Sequence, residues 1–170
     1  MKFINYFLLF NLLSCMSLYA QESKCIEEIN SDIWSNFTKS FETLNHELFA
    51  SLHREDFVRA SGSSKSVKNK KDYIEGYKNM WSSSNPNQTI NFRFLERFCN
   101  NESASERGIY KVTFNLNTDK EKSFYGEFHV ILTKTGLNWK ILVDYDTNFG
   151  NTSNEESYQA AFALDDFSKY

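Results

Sequence analysis

Three side chains in the second half of the chain have the chemistry that acid–base catalysis requires. They are Tyr110, His129 and Asp144. An enzyme of the isomerase or dehydratase type needs a carboxylate or imidazole base in apolar surroundings, and a hydroxyl that donates to a developing oxyanion. Asp144 or His129 could be that base, and Tyr110 could be that donor. The alternative interpretation is that all three are polar positions on the solvated face of a sheet.

These residues lie in three segments that alternate apolar and polar side chains with a period of two. The segments are residues 109–116, 124–132 and 139–145, and short polar connections separate them. This pattern is typical of an antiparallel meander. Residues 89–99 predict one more long strand before the meander, and residues 56–60 predict a short strand before that.

Amphipathic helices are predicted on either side of these strands. Residues 26–49 repeat apolar side chains at steps of three and four, with a shorter piece at 48–53, and residues 72–82 form a second helix of this kind. Residues 61–71 are predicted to be a loop. Residues 155–170 predict a C-terminal helix, for which Ser153 and Glu156 have the spacing of a capping box. The predicted fold class is therefore α+β.

The composition indicates a single exported domain. The chain has 170 residues and a net charge of −3, and its Lys and Arg residues are dispersed, which argues against nucleic-acid binding. Lys2 and the apolar run at 3–13 predict a signal peptide that is cleaved after Ala20, which leaves no transmembrane span. Residues 12–15 also resemble a lipoprotein box, which would instead anchor the protein through Cys15.

Cleavage after Ala20 leaves two cysteines, Cys25 and Cys99. In an exported protein such a pair predicts a disulfide, although two separate thiols remain the alternative. No metal site and no cofactor are predicted, because every metal-like pattern is incomplete. His46 and His53 are seven residues apart, and a calcium-loop frame that starts at Asp144 lacks glycine at its sixth place.

The order of elements and several short motifs resemble the nuclear transport factor 2-like superfamily. The motifs are LHREDFV at 52–58, KDY at 71–73, ERGIY at 106–110 and KTGLNWKI at 134–141. The resemblance covers about residues 26–146 and is nearest to the SnoaL-like group and the domain of unknown function 4440. It implies a cone, in which a curved antiparallel sheet packs on about three N-terminal helices. The predicted organisation is a signal peptide at 1–20, the cone domain at 21–146, and a polar linker with a C-terminal helix at 147–170.

Such a cone implies a pocket at its open end, and three functions remain open. The first is binding of a small, partly apolar ligand without catalysis, which the many aromatic residues and the lack of a complete catalytic set favour. The second is an isomerase or dehydratase, and the third is a module that forms a homodimer through its sheet. A one-residue shift in strand phase would move any strand candidate to the outer face. The ligand-binding candidates are Tyr77, Trp81, Arg93, Arg97, His129 and Asp144.

Overall fold

The structure is a computed structural model that describes residues 24–84 and 86–168. The predicted signal peptide and Cys15 lie outside these residues. The first helix, α1, consists of α-helical residues 24–29, a π-helical turn at Asn30–Trp34 and an α-helical segment at Ser35–Thr43. The other elements that are not strands are α2 (His46–Ser51), α3 (Lys70–Trp81), a 3-10 turn (Phe149–Asn151) and α4 (Glu155–Ala160).

Six strands form one curved sheet in the spatial order β2-β1-β6-β5-β4-β3. Strand β1 pairs in parallel with β6, and the other neighbours are antiparallel. The α+β prediction is confirmed, with the correction that the sheet is mixed rather than wholly antiparallel. The strands are β1 (His53–Ser61), β2 (Ser66–Asn69), β3 (Gln88–Cys99), β4 (Ser103–Phe114), β5 (Lys122–Thr135) and β6 (Asn138–Thr147).

The concave face of the sheet packs against α1, α2 and α3, and aromatic rings fill most of the space between them. Trp34 is the central ring of this core, with 1% of its surface exposed. Its ring centroid lies 4.5 Å from that of Phe92 and 5.1 Å from that of Phe128. Trp34 also meets Phe94 edge to face, a geometry that stabilises a core beyond the burial of apolar area.

Two predicted boundaries are wrong near α1 and β1. The helix predicted over 26–49 is interrupted because Leu44 takes a left-handed backbone conformation, with φ of 52°. Asn45 then caps a new helix by accepting from the backbone N–H groups of Glu47 and Leu48. The predicted loop at 61–71 contains β2, which pairs with β1 as a hairpin, and α3 begins within it at Lys70.

A bulge in β3 also overturns the predicted strand phase. The pairing of β3 with β4 shifts between Phe94 and Glu96, which inserts one extra residue into β3. The period-two pattern predicted that Arg97 lies on one face of β3, and Phe94 and Phe98 on the other. Beyond the bulge the phase is inverted, so Arg97 faces the helices with 1% of its surface exposed, and Phe98 points outward with 59% exposed.

The C-terminal segment packs on the sheet, but its helix is shorter than predicted. Helix α4 ends at Ala160, and Phe162 then forms a β-bridge with Phe94 through two backbone hydrogen bonds of 2.8 and 2.9 Å. The capping residue is Asn154 with Ser157, one residue later than the predicted pair. This segment therefore continues the edge of the sheet instead of forming one helix over 155–170.

A buried polar network, which we call the clamp, joins four parts of the chain. The Arg97 Nε donates to Glu106 Oε1 at 2.7 Å, and the Trp34 Nε1 donates to Glu106 Oε2 at 2.6 Å. Arg97 also donates to Asn30 Oδ1 at 2.5 Å and to the Leu164 carbonyl at 3.2 Å. The π-helical turn of α1, strands β3 and β4 and the C-terminal segment therefore share one ion pair.

Cys25 and Cys99 form a disulfide in the structure, with their Cα atoms 6.3 Å apart. It links the start of α1 to the end of β3, close to the clamp. The cysteines are 74 residues apart in sequence. In the chain-entropy model, closing a loop of this length stabilises the folded state by about 4 kcal/mol.

We expect Glu106→Gln to lower the free energy of unfolding by about 3–5 kcal/mol, because it leaves the Arg97 guanidinium buried without its counter-charge. Glu96→Gln is the matched control. Glu96 pairs with Arg107 across the same two strands, but their side chains are 48% and 43% exposed. Its loss should change stability by less than about 1 kcal/mol. Urea denaturation measures both values, and equal losses would contradict a structural role for the clamp.

Candidate functional site

A cavity of about 130 Å³ remains inside the cone, between α1, α3 and the concave face of the sheet. One side of it is apolar and mostly aromatic. The residues on this side are Trp34, Phe37, Phe41, Ile90, Phe92, Val112, Phe128 and Val130. The other side is polar, and we call it the charged end. It consists of Arg59, Tyr73, Tyr77, Tyr110, Asp144 and Asp146.

The centre of the charged end is a guanidinium held between two carboxylates. Arg59 Nη1 lies 2.7 Å from Asp144 Oδ1, and Arg59 Nη2 lies 2.5 Å from Asp146 Oδ2. The parallel pairing of β1 with β6 places Arg59 directly beside Asp144. The exposed fractions of the three side chains are 14%, 8% and 18% for Arg59, Asp144 and Asp146.

Tyr110 reaches this cluster by crossing a glycine on the neighbouring strand. Its hydroxyl donates to Asp146 Oδ2 at 3.2 Å, from β4 across β5 to β6. Gly126 lies between them, and a Cβ atom there would be 2.4 Å from the Tyr110 hydroxyl oxygen. The lack of a side chain at Gly126 therefore allows Tyr110 to lie across β5 at the charged end.

One carboxylate oxygen at the charged end has no partner. Asp146 Oδ1 is buried and accepts no hydrogen bond from any described residue, whereas Oδ2 of the same carboxylate accepts from both Arg59 and Tyr110. The rings of Tyr73 and Tyr77 meet edge to face, with their centroids 5.2 Å apart. A buried acceptor that lacks a donor costs free energy, so this oxygen is a position where a ligand could donate.

Burial raises the pKa of Asp144 to about 6, although its ion pair with Arg59 acts in the opposite direction. Asp144 is therefore mostly ionised at neutral pH and becomes protonated in mildly acidic solution. Burial also raises the pKa of Tyr110, which stays a hydroxyl donor at neutral pH. In chemical terms, the charged end can accept hydrogen bonds and exchange a proton through Asp144.

The structure brings only some of the predicted site residues together. Tyr77, Tyr110 and Asp144 line the cavity. Trp81 lies next to it but does not line it, because its ring packs among Phe41, Phe49 and Tyr77. The predicted ligand role of Trp81 therefore has no support in the geometry.

Arg97 and Arg93 belong to other parts of the fold. Arg97 is buried in the clamp and does not line the cavity, which its placement beyond the β3 bulge explains. Arg93 precedes the bulge and lies on the outer face of the sheet. It donates to the Ala161 carbonyl at 3.0 Å, and its guanidinium lies 5.3 Å from the centroid of the Tyr158 ring. Both arginines hold the C-terminal segment instead.

His129 also lies on the outer face and does not line the cavity. It is exposed and pairs across the strands with Arg107 and Tyr145, and its Nε2 lies 2.9 Å from Ser105 Oγ. Residues 128 and 130 point into the cone, so the alternation of β5 places residue 129 outside.

Three residues of the charged end were not predicted from the sequence: Arg59, Tyr73 and Asp146. The signal for Asp146 was its spacing of two from Asp144, which puts both carboxylates on one face of a strand. Arg59 lies in a strand predicted to be only five residues long, and its phase could not be read. Tyr73 precedes Tyr77 by one helical turn, so the prediction for Tyr77 could have been extended to it.

His53 is buried in the aromatic core behind the cavity, and is not a surface residue. Only 2% of its surface is exposed, and its Nδ1 donates to the Phe49 carbonyl at 2.8 Å. Its Nε2 is buried without a partner among the described residues. Burial lowers the pKa of His53 from 6.5 to about 3, so the imidazole is neutral in the folded protein.

No group of three His, Cys, Asp or Glu side chains within residues 24–84 and 86–168 is arranged to hold a metal ion. Within the same residues, no helix has the length and apolar character needed to span a membrane.

We expect His53→Phe to flatten the pH dependence of stability between pH 6.5 and about 3. In the unfolded wild type His53 takes up a proton below pH 6.5, whereas the folded protein resists protonation until about pH 3. As the pH is lowered from 6.5 to about 3, His53 alone should therefore reduce the free energy of unfolding of the wild type by up to about 1.4 kcal/mol per pH unit. Urea denaturation at several pH values measures the difference between wild type and variant. Parallel profiles would contradict the buried neutral imidazole.

Comparison with known proteins supports the fold and leaves the function open. No protein-family model and no curated protein matches the sequence.

Among solved structures, a Mycobacterium tuberculosis protein of unknown function superimposes with a TM-score of 0.61 at 16% identity, over 84% of this chain and 80% of the other. A nuclear transport factor 2-like protein with a cystatin-like fold from Novosphingobium aromaticivorans gives 0.60 at 13% identity, over 88% and 94%. A candidate scytalone dehydratase from the same organism gives 0.60 at 12% identity, over 71% and 80%. The chain therefore has the cone-shaped fold of the nuclear transport factor 2-like proteins.

Proposed function

We propose that the protein binds one small, partly apolar molecule in the cavity of the cone and holds it without transforming it. The observation that carries this proposal is an unfilled cavity with aromatic walls and a charged end. A cavity of roughly 150 Å³ with apolar walls is large enough to bind benzene. The volume of about 130 Å³ found here is close to that value and suits a molecule of about one ring.

The bonding of the charged end favours binding over catalysis. Asp144 and Asp146 are both paired with Arg59, and the Tyr110 hydroxyl already donates to Asp146. A general base is more effective when its carboxylate is free to take a proton from the substrate, and an oxyanion donor must point at the substrate. Here these groups are directed mainly at one another.

An isomerase- or dehydratase-type enzyme is the second candidate, and one observation favours it. Asp144 is a buried carboxylate with a pKa of about 6, at the edge of a cavity that also contains Tyr110. The fold similarity to a candidate scytalone dehydratase is compatible with such a role. Recovery of a bound molecule in chemically altered form after incubation with the protein would favour the enzyme over the binding protein.

Export of the protein is part of the proposal. The apolar run after Lys2 predicts a cleaved signal peptide, and the Cys25–Cys99 disulfide suits an oxidising compartment. Cleavage after Ala20 and a lipid on Cys15 remain the two alternatives for the mature N-terminus.

Formation of a homodimer through the sheet stays a prediction. The segment around α4 covers part of the outer face, where the Lys111 ammonium lies 2.7 Å from Glu155 Oε2. Phe98 and Tyr145 remain exposed elsewhere on that face.

We expect Val112→Phe to abolish ligand binding, because the larger ring would project from β4 into the cavity. The probe is toluene, a small apolar molecule with a single ring, and isothermal titration calorimetry measures its affinity. We expect saturable binding by the wild type and at least a tenfold loss in the variant.

Val143→Phe is the matched control. Val143 pairs with Ile131 across β6 and β5 on the outer face, so the same substitution there leaves the cavity open. A melting temperature near that of the wild type would show that each variant is folded. Equal affinity of the Val112 variant and the wild type for toluene would contradict the proposal.

A further inference from the structure

The charged end carries an excess of negative charge. Two carboxylates, Asp144 and Asp146, face one guanidinium, that of Arg59. The remaining polar groups that line this end are the hydroxyls of Tyr73, Tyr77 and Tyr110, which are neutral. At neutral pH the net charge of this end is therefore −1. A charge that is withdrawn from water is unfavourable unless another charge compensates it.

Asp146 Oδ1 is the atom to which a group that compensates this negative charge could donate. Asp146 Oδ1 is buried and lacks a donor among the described residues, although Oδ2 of the same carboxylate has two. A donor at Oδ1 would complete the hydrogen bonding of the carboxylate. A donor with a positive charge would also balance the charged end, with two cations for two anions.

Aromatic rings line the cavity beside Asp146. Tyr73, Tyr77 and Tyr110 line the charged end, and the apolar side of the cavity adds the rings of Trp34 and Phe92. The Arg59 guanidinium already lies 5.3 Å from the centroid of the Tyr73 ring. Ring faces attract cations, and this attraction is stronger where water is excluded. The walls therefore favour a cation that is attached to an apolar body.

We propose that the ligand of the cavity is a small monocationic amine with an apolar body of about one ring, whose ammonium group donates to Asp146 Oδ1. This inference rests on the proposed binding function. A carboxylate-bearing ligand is disfavoured because Arg59 is already bound to two carboxylates. A neutral alcohol would satisfy the oxygen but leave the charge unbalanced.

Four probes of similar size separate this proposal from its alternatives. They are benzylamine, benzyl alcohol, toluene and benzoate, each titrated calorimetrically into the full folded protein at neutral pH. We expect benzylamine to bind at least tenfold more tightly than benzyl alcohol or toluene, and benzoate not to bind. If toluene or benzyl alcohol binds as tightly as benzylamine, the amine proposal fails while the proposed binding function stands. If none of the four binds, both fail.

Asp146→Asn tests the contact directly, because it keeps the shape of the side chain and removes its charge. We expect the affinity for benzylamine to fall at least tenfold and the affinity for toluene to change less than threefold. Asp119→Asn, the same substitution in the exposed turn between β4 and β5, should leave both unchanged. An unchanged affinity of Asp146→Asn for benzylamine would overturn the proposal, and so would an equal loss for both probes.

Discussion

The buried ion pair between Arg97 and Glu106 is the constraint on which the rest of the structure depends. Neither charge could be buried alone, so each fixes the position of the other. Glu106 also accepts from the Trp34 indole, and Trp34 forms one wall of the cavity. The same arginine holds the π-helical turn of α1 and the Leu164 carbonyl. One charged contact thus sets the position of the helix across the sheet, and with it the width of the space between them.

At the charged end, too, each buried charge has a partner of opposite sign, but the charges do not balance. Arg59 is also held by carboxylates, but here there are two of them, and the cluster borders an open cavity instead of packed side chains. The clamp is neutral as a pair and closed to ligands. The charged end, in contrast, has one buried oxygen that accepts from no described residue. The two clusters lie in the same cone. Their different balance of charge separates a structural contact from a candidate binding site.

The sequence predicted the parts of the fold that depend on simple periodicity. The alternation in β4 and β5 and the helical spacing of α3 identified these elements correctly, and the family resemblance supplied the cone. Prediction failed where one inserted residue changes the phase of a strand. The bulge after Phe94 turns Arg97 toward the helices, whereas simple alternation predicted it on the opposite face of β3 from Phe94. The position of a bulge cannot be recognised from the apolar–polar alternation of a single sequence.

The candidate site was only half predicted, for a different reason. Asp144, Tyr110 and Tyr77 were identified, but their main partner, Arg59, comes from a short strand that pairs in parallel with the far end of the chain. Local sequence does not encode which distant strands become neighbours. Nor does it encode the effect of Gly126, whose missing side chain matters only because Tyr110 crosses it.

Native mass spectrometry of the mature protein purified from its own host tests the central claim most directly. We expect a folded protein that carries one small, non-covalently bound basic molecule, which added benzylamine displaces. The same preparation of Val112→Phe should lack this molecule. A folded wild-type protein without any bound molecule, or a molecule that remains bound to the Val112 variant, would contradict the claim that the cone cavity is a ligand-binding site.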